Sequence, residues 1–213
     1  PARGRAVLLL ALLGVLTHPL LDWMNTYGIR LLMPFEDRWF YGDALFIVDP
    51  WVWLGLGAAV VLGRGRGEGG TIERGGSDAR EPTVARGERR ARAVGALVVA
   101  YIIAMVVTGT TAERYVRRVA NERFEGRVRD VMVGPVPANP FVGQVVVETT
   151  DADHTGSFSW LQTPRLTLDG PRLPTLAPDP VIDAAAENSD VRNYLIWSRF
   201  PYAQVDTLPN GYR

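Results

Sequence analysis

His18 and Asp22 stand four residues apart in an otherwise apolar stretch, LTHPLLDW. On a helix that spacing puts both side chains on one face, one turn apart. An imidazole and a carboxylate so placed can hold one metal ion, or they can pair with each other. Pro19 lies between them, and a proline there predicts a kink that opens backbone groups to a ligand. A further carboxylate, Asp49, precedes Pro50 at the edge of another apolar run. It can serve as a metal ligand, as a carboxylate that orients a ligand, or as a general base. Asp-Pro is also an ordinary helix-start signal, and on that reading a helix begins at Pro50.

The segments carrying these residues are segregated from the rest of the chain. The 213 residues are 47% hydrophobic, near the average of globular proteins. Yet residues 6–16, 44–63 and 93–107 are nearly uncharged, whereas 64–92 and 112–213 are polar. A helix needs about 20 residues to cross the hydrocarbon core. Three spans of that length are predicted, over 6–25, 44–63 and 93–111. The first reaches it only by including Thr17, His18 and Asp22, and the second only by including Asp49 and Pro50. The implied fold class is an α-helical membrane protein of about three transmembrane helices with a C-terminal soluble α+β domain. Its parts are a transmembrane hairpin at 1–63, a flexible linker at 64–92, a third span at 93–111 and the soluble domain at 112–213. A soluble protein with a very apolar helical core is the competing fold, and it would have to bury all three runs on every side.

Charge patterning gives the orientation. Residues 64–92 hold seven glycines and eight arginines against five acids. A short basic loop between two spans marks the cytoplasmic side. Arg3 and Arg5, two spans away, agree with it. Residues 26–43 and everything after the third span are then outside. Arg114, Arg117 and Arg118 argue the other way, but long domains translocate largely regardless of charge. On that topology Asp49 lies six residues into its span, about 9 Å, and His18 about 10 Å below the end of the first. Antiparallel helices would bring them to similar depth, with Glu36, Asp37 and Asp43 above them in the outer loop. Arg3 and Arg5 before an apolar run also have the layout of a signal peptide, but no small-residue cleavage site comes after Leu16. The start at Pro1 reads as that of an internal fragment of a longer protein.

An aspartate at the middle of a membrane helix costs about 2.5–3.5 kcal/mol on insertion scales, and less near the ends. Pairing, metal binding or a water-filled cavity offsets most of that. The plainer alternative is a polar cluster that only locks helices together, with Asp22 as a helix-end cap. Trp23, Tyr27, Trp39, Phe40, Tyr41, Trp51 and Trp53 read as an interfacial aromatic belt on the same side, with substrate stacking as the alternative. Arg30 and Arg38 either bind phosphate head groups or snorkel to the interface.

The polar tail shows local signals. Residues 142–150 and 155–161 form a hairpin about a turn at Asp151 to His154, which leaves His154 solvated. Val128 marks an earlier strand. Asp179 before Pro180 predicts a helix start, and Asp190 caps a second short helix. Arginines and acids balance at 23 each, so bulk charge points to no nucleic-acid partner. Cysteine is absent, so disulfides and thiolate metal sites are excluded. No GxSxG, Walker A, HExxH or Rossmann motif is present, and the Gly-rich stretch at 63–70 lacks the lysine of a phosphate loop.

The segment from 17 to 50 carries Thr17-His18, Leu21-Asp22, Tyr27-Gly28, Pro34-Phe35, Asp43 and Asp49-Pro50. In these motifs it resembles the bacterial membrane-bound metal-dependent hydrolases, an inner-membrane family that includes a LexA-regulated member. The NPF at 139–141 and WSRFP at 197–201 are similar to that family's C-terminal domain. The resemblance is dense over 16–54 and diffuse elsewhere. It implies a metal site to which His18 and Asp22 contribute, and a multi-pass protein of the bacterial inner membrane. Family members carry further histidine motifs upstream, of the His-Arg…Thr-His-Ser kind, that this sequence lacks.

The functional expectation is a membrane-embedded hydrolase of an ester or phosphoester, which can be lipid-linked. His18 and Asp22 are the metal ligands, Asp49 is the catalytic carboxylate, and zinc or manganese is the ion. The bilayer and a lipid-linked or small ester are its partners, and the C-terminal domain is extracytoplasmic. Two rivals stand beside it. One is a non-enzymatic stress-response membrane protein whose polar cluster fixes helix packing and whose tail binds a partner. The other is a transporter using His18, Asp22 and Asp49 as an ion or proton relay.

Overall fold

A computed structural model of the chain describes residues 2–63, 81–161, 163–176, 178–208 and 211–212. Two compact units emerge. One comprises residues 1–108 with 137–140, the other 109–136 with 141–213.

The first unit is built on apolar helices. α1 (Ala2–Met24) runs without a break through Pro19. Over Gly4–Met24 it is long and apolar enough to cross a membrane. α2 (Pro50–Gly63) has 14 residues, about 21 Å at 1.5 Å per residue, short of a core about 30 Å thick. Of the expected span at 44–63, then, the first six residues are not helical. The helix begins at Pro50 because Asp49 caps it. α3 (Glu81–Arg123) has 43 residues and is the second helix able to cross a membrane. Two such helices, rather than three, are therefore present among the described residues.

The linker expected at 64–92 is only partly tested, since 64–80 lie outside the described residues. Its last part, 81–92, is helical and continuous with α3. Arginine, alanine and glutamate there are good helix formers. Glu88 and Arg92 also pair one turn apart at 3.0 Å.

α2 and α3 pack antiparallel. Tyr101 meets Asp49 at one end. Further along, a Cβ added to Gly55 would collide with the Val98 side chain, and at the other end one added to Gly63 would lie 3.2 Å from Ala91 Cβ. Lipid supplies no hydrophobic drive between spans, so close approach through small residues is how such helices gain contact. Glycine at 55 permits that approach.

The second unit is a sheet packed on the last turns of α3. Ala112, Val116 and Ala120 recur every four residues and are buried. They form the core with Val131, Val133, Val145, Val147 and Phe158. β1 (Val128–Val136), β2 (Asn139–Thr149), β3 (Ala152–Ser159) and β4 (Arg165–Thr167) lie in that order, and β5 (Arg172–Pro174) also pairs with β3. β2 and β3 are antiparallel, with Val147 opposite His154 and Glu148 opposite Asp153.

The hairpin is longer and its turn tighter than expected, only Thr150 and Asp151 separating the strands. The Thr149 hydroxyl donates to Ala152 O at 2.7 Å, and Ala152 N–H donates back to it at 3.2 Å. His154 therefore sits within β3, not in a solvated turn. Its ring packs 4.4 Å from that of Phe124, and burial pushes its pKa down.

α4 (Pro180–Ala185) starts as expected, with Asp179 Oδ1 accepting from Val181 N–H. α5 (Ser189–Trp197) is capped by Asn188, whose side chain accepts from Asp190 N–H. Asp190, expected as that cap, lies instead in the first turn. β6 (Thr207–Leu208) and β7 (Gly211–Tyr212) form a separate two-stranded sheet.

Candidate functional site

Asp22, Glu36, Asp37, Asp43 and Asp49 lie in or beside the segment between α1 and α2. That segment is fastened to α1 by backbone. Met24 O accepts from both Ala44 N–H (2.8 Å) and Leu45 N–H (2.9 Å). The reversal runs through Asp43 at φ 46°, a left-handed conformation that Asp tolerates better than most residues. At Gly42 a Cβ would lie 2.6 Å from Trp23 O, so a side chain there would push the segment off the helix end. Asn25 is buried, and its Oδ1 accepts from Tyr27 N–H at 2.8 Å and Gly28 N–H at 3.3 Å. Met24, Ala44 and Leu45 are buried beside it.

Ile29 and Phe40 exchange two backbone hydrogen bonds of 2.9 Å, closing the outer part of the loop. Arg30 and Arg38, for which the sequence leaves head-group binding and snorkelling both open, are engaged within it. Arg30 lies 3.6 Å from Asp37 and over the Trp39 ring, and Arg38 lies 3.3 Å from Glu36 and over the Phe40 ring. These contacts are solvent-facing, so each contributes little to stability. They fix where the rings lie.

On α1 itself the structure brings His18 and Asp22 together. Nε2 and Oδ2 are 3.4 Å apart, on the open side of the helix, with the histidine side chain 83% exposed. Two atoms each about 2.05 Å from a tetrahedral ion are separated by about 3.35 Å. An imidazole nitrogen and a carboxylate oxygen are also hard-to-borderline donors suited to zinc or manganese. The pair therefore fits half of a divalent site. Among the described residues no group of three or more His, Asp or Glu side chains is placed to hold one ion. Asp49 is thus not brought into a common ligand set with His18 and Asp22.

Asp49 is instead buried and engaged on both oxygens. Oδ1 accepts from Trp51 N–H and Val52 N–H, each at 3.0 Å. These are the free amides at the start of α2, and an aspartate beside a helix N-terminus is also favoured by the helix dipole. Oδ2 accepts from the Tyr101 hydroxyl at 3.0 Å. The carboxylate thereby caps one helix and ties it to the next.

Tyr101 is the residue that sequence reasoning missed. A signal existed, because its hydroxyl interrupts the apolar run AVGALVVAYIIAMVV, and a buried hydroxyl needs a partner. What the sequence could not supply was the register of α2 against α3, which makes Asp49 that partner.

The second unit has its own polar network. Arg199, mostly buried, donates through Nε to Asp130 Oδ2 at 2.9 Å and through a terminal nitrogen to Val131 O at 3.2 Å. Arg117 reaches Glu113 at 3.0 Å and Asp130 at 3.3 Å. Asp153 is buried, and burial holds its carboxyl above the ordinary range. Glu148, opposite it, is raised by burial and by the neighbouring Asp153 and Asp130 charges, against the opposing pull of Arg129 and Arg199. Pairs of this kind hold a domain together as readily as they perform chemistry.

No curated protein and no solved structure is found to match the chain. A family model does match, over residues 2–113. That stretch takes in α1, the loop carrying Asn25 to Asp49, α2 and the apolar part of α3, so the elements that position His18, Asp22, Asp49 and Tyr101 all lie inside it. On that match the chain belongs to the YdjM inner membrane protein family.

Proposed function

We propose that this inner-membrane protein is a metal-dependent hydrolase in which His18 and Asp22 are two ligands of a divalent ion, zinc or manganese. The observation that carries the reading is the 3.4 Å approach of His18 Nε2 to Asp22 Oδ2 on an exposed helix face, the separation two ligands of one small ion require. When bound, such an ion supplies a water of lowered pKa and polarises an ester or phosphoester bond. Waters or further side chains would complete the shell of such an ion. His18 and Asp22 hold and orient the site through their fixed one-turn spacing. Asp49 acts by positioning: capping α2 and accepting from Tyr101, it fixes the end of the helix hairpin beside the loop that begins at α1. Asn25 and the Met24 carbonyl hold that loop in place. The substrate is a small or lipid-linked ester.

In this reading the chain is multi-pass: α2, although shorter than the hydrocarbon core, crosses with local thinning of the bilayer, which leaves residues 64–80 cytoplasmic and the sheet unit extracytoplasmic. The arginine excess of 64–92 supports that orientation.

A second reading is favoured by the Asp49–Tyr101 hydrogen bond and the close approach at Gly55. Here the polar groups serve helix packing and the protein has no catalytic role.

Metal content of the full-length protein separates the two. Prepared without chelators, it should carry stoichiometric metal by elemental mass spectrometry, and His18→Ala or Asp22→Ala should remove most of it while the protein still inserts. Wild-type protein without stoichiometric metal overturns the hydrolase reading.

A further inference from the structure

Between α2 and α3 runs a cleft of about 310 Å³. Trp51 and Gly55 line it from α2, Val94, Leu97, Val98 and Tyr101 from α3, and Pro140 of β2 adds to the wall. We infer that this cleft is a binding site for one acyl chain of a membrane phospholipid.

Three observations identify the occupant. First, the site lies between apolar helices of an inner-membrane protein, so hydrocarbon is the medium at its mouth. Second, the polar side-chain atoms on its walls are already engaged. The Tyr101 hydroxyl donates to Asp49 and the Trp51 indole N–H donates to Ala138 O at 3.2 Å. A ligand that needs hydrogen bonds would find no side-chain partner here, while a hydrocarbon needs none. Third, the volume suits a single chain. At about 30 Å³ per heavy atom, the liquid share of a water, the cleft takes about ten carbons of a single chain.

The cleft exists because Gly55 lets α2 touch α3 at Val98, while Trp51 stands out from the helix at one end. Its attraction for a chain is close packing rather than escape from water, since lipid tails are as apolar as the walls. Occupancy is therefore enriched several-fold over the surrounding lipid and exchanges with it. The site does not depend on the metal.

The test uses full-length protein in phosphatidylethanolamine–phosphatidylglycerol nanodiscs with a trace of phosphatidylcholine bearing a diazirine midway along one chain. After illumination, labelled peptides are quantified by mass spectrometry. Label at Trp51 to Gly55 and Val94 to Tyr101 should exceed that on the exposed face of α1, at Leu8 to Leu13, several-fold. Leu97→Phe should lower the cleft label and leave the α1 label unchanged. Leu97→Ala, which cannot crowd the helices, should keep or raise it. Val60→Phe, on an exposed part of α2 outside the cleft, should change neither. Equal labelling of cleft and α1, or a cleft label indifferent to Leu97→Phe, overturns the inference. So does efficient disulfide formation between copies of Leu97→Cys, which would put a second copy over the cleft.

Discussion

Asp49→Ala removes the acceptor of three donors at once: Trp51 N–H, Val52 N–H and the Tyr101 hydroxyl. Loss of an Asp cap costs about 1 kcal/mol. A helix-to-helix side-chain hydrogen bond in a membrane contributes about 0.6 kcal/mol on average, and about 1.7 at most. Asp49→Ala should therefore destabilise the helix hairpin by about 1.5 kcal/mol, and Tyr101→Phe by about 0.6 kcal/mol. In the double variant the shared bond can be lost only once, so the two effects should fall short of additivity by about 0.6 kcal/mol. Asp49→Asn should cost less than alanine, because an amide oxygen caps nearly as well as a carboxylate. The assay is unfolding in mixed micelles by titration with a denaturing detergent, monitored by far-ultraviolet circular dichroism. Strict additivity of Asp49→Ala and Tyr101→Phe would refute the tie between helices. An alanine variant as stable as wild type would refute the cap as well.

The acidic pair in the sheet gives a pH prediction. Asp153 and Glu148 hold their protons to higher pH folded than unfolded. Their contribution to stability is thus greatest below the ordinary carboxylate range and is lost as pH rises through the raised values. Asp153→Asn should raise the protection of β2 and β3 amides near neutral pH and flatten its fall from the ordinary carboxylate range upward, and parallel profiles in hydrogen exchange would contradict this. Asp151 shifts oppositely, held low first by the Thr149 hydroxyl and then by Arg172 and Arg127, so the variant-minus-wild-type difference is the quantity to read. Gly156→Ala would drive a methyl group into the backbone of β4 and the residue after it, at Thr167 O and Leu168 Cα. It should cost about 1–3 kcal/mol of sheet stability in thermal unfolding, and a cost under about 0.5 kcal/mol, the range of an ordinary surface substitution, would show the strand pair to be looser than drawn. For topology, Ser157→Cys should react with an impermeant thiol reagent in cells with a permeabilised outer envelope, while Ser77→Cys should react only after lysis. The reverse pattern turns the orientation over.

Local signals in the sequence were enough for elements whose cause is local. Asp179-Pro180 marked α4 because a cap and a proline act within one turn. His18 and Asp22 were legible as a pair because the helical repeat alone sets their distance. Strand pairing at 139–159 was legible in outline from alternation, but its turn was drawn too long. Thr149 tightens that turn through its own hydroxyl, and the preceding valines gave no hint of it. The ends of α2 and α3 were misread for a different reason. Hydropathy reports what can lie in lipid, not where a backbone turns helical. Residues 44–49 are apolar enough for a span, yet Ala44 and Leu45 commit their amides to Met24 O, and Asp49 caps a helix that starts only at Pro50. Residues 81–92 are polar enough for a linker, yet their composition favours helix. Tyr101 was out of reach because its role depends on the register between two helices, which no spacing within one helix encodes.

The three ionisable groups His18, Asp22 and Asp49 differ in what they have left to offer. Asp49 is largely committed. Two amides occupy one oxygen and a hydroxyl occupies the other, which is how a buried carboxylate in a membrane hairpin avoids the cost of standing alone. A carboxylate so engaged, buried and with little room beside its one remaining lone pair, is a poorer ligand and base than an open one. The His18–Asp22 pair is the opposite case. Its described contact is the single 3.4 Å approach between the two side chains, and both remain partly or largely exposed. An imidazole and a carboxylate in mutual contact still have lone pairs to give. Of the three, His18 and Asp22 thus have the lone pairs left to offer an ion, while Asp49 with Tyr101 ties α2 to α3. Full-length Asp49→Asn should accordingly keep its metal while His18→Ala loses it. An Asp49→Asn protein that loses metal as completely as His18→Ala would place the carboxylate back among the ligands and break this division.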